Sequence, residues 1–427
     1  VAHRIATYLR ESVTARERKT MTSLLDQEGA GNRPRGGIPR LKPGYAPFLS
    51  YGFRPFFLGA GVWACAAMVL WIGLMSGGWS IANGYGLIAW HAHEFLFGYV
   101  SAVLCGFLLT AIPNWTGQMP IQGGSLLALF LLWATGRLAM LGADFIGASV
   151  AAAFDCLFLF VLAAVILREI VTGRNWRNLK VVVLVATFAF ANLAFHVEVL
   201  VSGAADAALR AALAVIVGLI MLVGGRITPS FTRNWLARQG QGRLPARLDR
   251  FDMAAIGVCA AALVVWVVVP QSPAAGILLL AAAAAQAARL ARWAGERTWR
   301  EPLVLVLHVG YAFVPVGALI LGLSTLGVAG LPQSGALHAW TTGAIGVMTL
   351  AVMTRATLGH TGRDLRATLP TLLIYGAVLV AAATRIAAPL VPSLYPELLI
   401  LAAVGWIVAF GTFVLVYGPM LVSAKQA

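Results

Sequence analysis

Trp90-His91-Ala92-His93-Glu94 opens an apolar run that continues to Pro113. At 1.5 Å of rise per residue, roughly twenty such residues cross a hydrocarbon core as a helix. The run therefore reads as a membrane span with two imidazoles and a carboxylate at its lip. Ionisable groups at that depth are costly, and they are usually kept for function. Imidazole is also a common ligand for haem iron and copper in apolar surroundings.

Similar runs recur along the chain. Of its 427 residues, 60% are hydrophobic and 11% charged, against about 25% charged in soluble domains. Backbone inside lipid must satisfy its own hydrogen bonds, and runs of this length do so as helices. The expected fold is an all-α, polytopic membrane protein with spans at 53–76, 87–112, 125–142, 146–168, 179–201, 207–228, 253–270, 274–293, 302–323, 336–358, 369–388 and 397–420. Residues 1–47 read as a basic, mostly disordered cytoplasmic tail without the apolar core of a signal peptide. Residues 48–424 form the expected twelve-helix membrane domain.

The net charge of +15 does not point to nucleic acid. The excess lies in the tail and in alternate loops: Arg168, Arg174, Arg177 and Lys180; Arg233, Arg238, Arg243, Arg247 and Arg250; Arg289, Arg292, Arg297 and Arg300; Arg363 and Arg366. The loops between them carry no Lys or Arg, so both termini are expected in the cytoplasm. Cys65, Cys105, Cys156 and Cys259 form no C-x-x-C pair and read as small buried hydrophobes.

A weak repeat suggests three blocks of four spans. Trp176-Arg177-Asn178 precedes span 5 and Trp299-Arg300-Glu301 precedes span 9, with Arg54-Pro55-Phe56 at the matching place in span 1. Spans 2, 6 and 10 each end in a polar turn, at Pro113-Asn114-Trp115-Thr116, Pro229-Ser230-Phe231-Thr232 and Gly359-His360-Thr361-Gly362. Arg226 and Arg355 are expected to pin these turns.

Six histidines lie in or beside spans. His91, His93, His196 and His338 fall at one level in the outer leaflet, whereas His308 lies in the inner half and His360 at the inner end. As candidate ligands they rank His93, His91, His338, His196, then His308 and His360. Any one of them alone reads as an ordinary buried histidine; four at one level on three spans favour a metal or haem. Residues two apart on a helix point about 200° apart, so His91 and His93 should serve different sites, or one is a ligand and the other a polar neighbour. Asn192 shares a face with His196 and is expected to orient it. Glu94 and Glu198 are candidate acceptors beside the histidines. Arg137, Arg210 and Arg385 lie toward the outer side, where guanidinium binds haem propionates, although snorkelling to the interface is the plainer reading of each. Asp155 needs a partner, and Arg137 is the nearest candidate.

Several segments together resemble the NnrS family. They are Phe53-Arg54-Pro55-Phe56-Phe57-Leu58; Trp90-His91-Ala92-His93-Glu94; Gly106-Phe107-Leu108-Leu109-Thr110-Ala111-Ile112-Pro113-Asn114-Trp115-Thr116-Gly117; Gly224-Gly225-Arg226-Ile227-Thr228-Pro229; Thr232-Arg233-Asn234-Trp235; Gly343-Ala344-Ile345-Gly346; and Leu358-Gly359-His360-Thr361-Gly362-Arg363. The resemblance covers residues 48–420. It implies a multi-pass protein of the bacterial inner membrane that contains haem b and copper and is linked to nitric oxide metabolism, nitrosative stress and denitrification. The likeness to haem–copper oxidases is architectural only, because this chain has no adjacent His-His pair.

The expected function is a redox enzyme that binds and reduces nitric oxide, with electrons from quinol or a redox partner. Glu94, Glu198 and Asp155 are candidate proton carriers. The alternatives are a non-enzymatic nitric oxide binder or sensor, and a transporter of metal or haem.

Overall fold

The computed structural model describes residues 44–79, 83–328 and 330–426; the expected N-terminal tail lies almost wholly outside them. Among the described residues, twelve helices are long and apolar enough to span a membrane. They are α1 (Phe53–Met75), α2 (Leu87–Thr116), α3 (Gly123–Leu141), α4 (Ala148–Thr172), α5 (Trp176–Ser202), α6 (Asp206–Leu236), α7 (Arg250–Val268), α8 (Pro273–Ala291), α9 (Pro302–Thr325), α10 (Gln333–His360), α11 (Leu369–Leu390) and α12 (Pro392–Val422). No strand is present among the described residues.

The expected ends of spans 2 and 6 need correction. Their polar turns are final helical turns: Pro113 sits inside α2, and α6 continues through Pro229 to Leu236, whereas α10 stops at His360 and Thr361-Gly362 form a turn beyond it, close to the expected end. A single proline removes one helical hydrogen bond, which neighbouring helices offset inside a bundle. At the end of α2, Gly117 takes a left-handed conformation (φ 71°), and its N–H bonds the Pro113 carbonyl at 2.9 Å.

Neighbouring helices pack in chain order, and α12 returns against α1. Arg54, at the start of α1, closes this ring. Its guanidinium donates to the carbonyls of Leu421 (2.8 Å) and Ser423 (2.7 Å), capping the negative end of α12. The most buried spans are α2 and α10. Large side chains such as Val183, Phe190, Val264, Leu369 and Leu415 point outward, as lipid-facing surface requires.

A feature recurs every fourth span. Helices α2, α6 and α10 each contain a wide π-helical segment, at Glu94–Val100, Ile220–Gly224 and Ala339–Val347. Such segments are rare and concentrate at functional sites. Their spacing agrees with three blocks of four helices. They also offer carbonyls to side chains: Trp133 Nε1 donates to Gly98 O at 2.9 Å, and Arg289 Nη1 to Met221 O at 3.1 Å.

Candidate metal centre

Four helices bring polar side chains together at the outer end of the first block. The π segment of α2 starts at Glu94, directly after His93. Helix α3 supplies Arg137 near its end, α4 supplies Asp155 in its third turn, and α5 supplies Asn192 and His196 one turn apart. None of the six is more than 4% exposed.

Asp155 is the hub. One carboxylate oxygen, Oδ2, lies 3.0 Å from His93 Nε2 and 3.0 Å from His196 Nε2, and accepts from Asn192 Nδ2 at 2.7 Å. The other, Oδ1, accepts from Arg137 Nη2. Arg137 Nη1 donates to Glu94 Oε2 at 2.6 Å, while Glu94 Oε1 lies 2.9 Å from His93 Nδ1. Asn192 Oδ1 lies 3.1 Å from His93 Nε2. His196 Nδ1 faces the Tyr85 hydroxyl at 3.0 Å, and that hydroxyl also reaches the Ala148 carbonyl at 3.0 Å. Burial raises the Tyr85 phenol above its ordinary value, so it keeps its proton.

Proton counting shows what this arrangement can do. Both nitrogens of His93 face oxygen acceptors, and a neutral imidazole carries one N–H. One contact therefore lacks a proton. With Glu94 and Asp155 ionised, Arg137 balances one of two buried negative charges. Burying an uncompensated charge is expensive. A second proton on His93 cancels the remainder, and so does a metal cation. A nitrogen of each histidine and an Asp155 oxygen lie within 4.8 Å of one another, a spacing that could hold one ion.

Close packing sets the geometry. A Cβ on Gly98 would stand 2.6 Å from Arg137 Nη1 and 2.9 Å from Glu94 Oε2. An added methyl there would force the Arg137, Trp63 or Glu94 side chain to shift.

The H-x-H geometry separates as expected. His91 points away from this cluster and stacks on Trp71 of α1, with ring centroids 4.1 Å apart. His338 lies close enough for its charge to act on His91, and Arg385 acts on both. Both rings are partly exposed. His338 Nδ1 donates to the Ser334 carbonyl at 2.7 Å, which leaves Nε2 with its lone pair. His91 Nδ1 and Arg385 Nη1 are buried without a partner.

Other expected site residues are elsewhere. Asn192 contacts His93 and Asp155 rather than orienting His196, because the Asp155 carboxylate stands between them. Arg137 is committed to Glu94 and Asp155, so it is not a free propionate ligand. Glu198 faces away and accepts from the N–H groups of Ala207 and Ala208 (3.2 and 3.1 Å), capping α6. His308 bonds Thr232 at 2.7 Å in the inner half, and His360 packs against Tyr51 and Phe53 at the inner end. Arg210 has a buried Nε without a partner and makes no bond to the cluster. Tyr85, Trp71 and Ser334 carry no signal in the sequence that marks them for the site; each gains its role by proximity alone.

A family model described as NnrS protein matches residues 47–425. No curated protein matches the chain.

Proposed function

The chain belongs to the NnrS family, and from that premise we propose that it binds nitric oxide at an outer-leaflet haem and metal centre and reduces it. Membership supports a nitric oxide-related membrane protein that contains haem or metal. The finer reading rests on one observation above the rest: two imidazole groups on opposite faces of α2, one with an unpartnered buried ring nitrogen and one with two carboxylates for a single arginine.

The His91–His338 pair fits a haem. His338 has the tautomer of a ligating histidine, with Nδ1–H held by a carbonyl and Nε2 free. His91 Nδ1 lacks a partner, Trp71 offers a flat wall, and Arg385 has an unused N–H for a propionate. The His93–Asp155–His196 cluster fits copper, since it offers two imidazoles and a carboxylate and lacks one positive charge. When bound, haem iron and copper supply reversible one-electron chemistry and open positions for a small diatomic ligand.

The chain's own residues have definite tasks in this reading. Arg137 keeps Glu94 and Asp155 ionised and fixed. Glu94 orients His93, and Tyr85 orients His196. The apolar shell of Phe97, Phe188 and Phe195 excludes water from the cluster. The overall reaction joins two nitric oxide molecules, two electrons and two protons into nitrous oxide and water. Quinol or a redox protein is the proposed electron source, and the bacterial cytoplasmic membrane the proposed site of action.

Purified protein should carry a b-type absorption spectrum and bound copper, and should convert nitric oxide to nitrous oxide with a chemical reductant. Binding of nitric oxide without turnover would assign it as a binder. Absence of both haem and copper after growth with ample iron and copper would reject the reading.

A further inference from the structure

At the opposite end of the bundle a partly open cavity of 650 Å³ lies between the three blocks. Its walls come from α1, α2, α5, α6, α9 and α10, and much of them is apolar, including Phe57, Phe107, Leu222 and Val352. Three cations line it: Lys180, Arg226 and Arg355. No Asp or Glu does. Among the described residues, none of the three makes a hydrogen bond or an ion pair. The expected pinning of the polar turns is met by Arg355, which lies over the Phe231 ring in the turn that closes α6, 4.3 Å from its centroid; Arg226 makes no such contact. Glu301, at the start of α9, acts on Arg355 only through space.

Depth adds to the argument. Arg226 and Arg355 stand about 30 Å along α6 and α10 from the outer ends, at 1.5 Å per residue. That distance matches the hydrocarbon thickness, so the cations lie at the level of inner-leaflet phosphates. Lys425 and Arg54 add positive charge near His360 on the same side. Lys180 and Arg226 repel one another, and Arg355 has only the distant influence of Glu301; three cations set beside an apolar hollow favour a ligand with an anionic head and an apolar body.

We propose that this cavity holds an anionic phospholipid of the inner leaflet, its phosphate on Lys180, Arg226 and Arg355 and an acyl chain along the apolar wall. The lipid fills the gap between the inner ends of α2, α6 and α10 and neutralises a charge cluster that water alone would leave under repulsion. This inference does not depend on the redox reading.

The test uses the full chain in nanodiscs of phosphatidylcholine with a minor share of phosphatidylglycerol. After washing and extraction, bound lipid is counted by native mass spectrometry. Wild-type protein should retain phosphatidylglycerol in strong preference to phosphatidylcholine. The triple variant Lys180→Gln, Arg226→Gln, Arg355→Gln should lose that preference by roughly a hundredfold, since each cation near a phosphate contributes about a factor of five. Arg355→Lys, which keeps the charge, should retain most of it, and Arg168→Gln, exposed in the last turns of α4, should change nothing. Equal retention by wild type and the triple variant would overturn the proposal. So would displacement of the lipid by inorganic phosphate at low concentration, which would assign the cavity to a soluble anion.

Discussion

Two buried networks in this protein pair arginine with carboxylate, and they differ in one respect. In the inner half, Arg289 donates to Asp252 (3.0 Å), to the Met221 carbonyl and to the Tyr311 hydroxyl (2.8 Å). Tyr311 donates to Gln286 (2.7 Å), and Gln286 to the Ala255 carbonyl (2.8 Å). Each of these contacts has a donor and an acceptor, and the two arginines on Asp252, Arg289 and Arg292, are balanced by Asp252 and Asp249. The outer network has two carboxylates for one arginine and a histidine whose two nitrogens both meet acceptors. A closed network holds helices together. A network short of one positive charge can take up one more proton or a cation.

The contrast can be broken first at the histidines. His93→Gln and His196→Ala should each empty the outer centre, with copper content falling to background in elemental analysis, while the helical circular dichroism persists. Unchanged copper content in both variants would place the ion elsewhere and remove the basis of the comparison. The inner network should respond in the opposite way. Arg289→Ala removes one of the two guanidiniums that hold Asp252 and the charged donor to Tyr311, and should lower stability by about 2–3 kcal/mol without loss of copper. Thermal unfolding in detergent, read beside copper content, separates the two effects. The smallest effect tests the packing that sets the outer geometry. Gly98→Ala should displace Arg137 and cost about 1–3 kcal/mol through overpacking. It should also weaken copper retention, because Arg137 no longer holds both carboxylates in place. If Gly98→Ala unfolds at the wild-type temperature with full copper content, the close approach of Arg137 is not what sets the site.

Much of the architecture was legible before any coordinates. Apolar runs reveal helices directly, since lipid leaves the backbone no other solution. Of the turns closing spans 2, 6 and 10, the two that contain proline were misplaced, because proline reads as a terminator in water, whereas a bundle tolerates it. The repeat seen in those turns marked the three helices that carry π segments, although the segments themselves leave no trace in composition. At the site, H-x-H spacing alone separated His91 from His93, because helical rotation is a local property. Glu198 shows the limit of such reasoning. It lies two residues from His196, and that same rotation turns it away from the cluster and toward the start of α6.

Span number, the alternation of basic loops and the level of each histidine followed from the chain itself, because hydrophobic length and helical rise act residue by residue. Which histidine meets which carboxylate was decided only by the tertiary fold. His93, Asp155 and His196 are separated by long stretches of sequence, and they converge because α2, α4 and α5 pack closely enough for one carboxylate oxygen to face both rings. The missing positive charge belongs to that convergence and to no single segment of the chain.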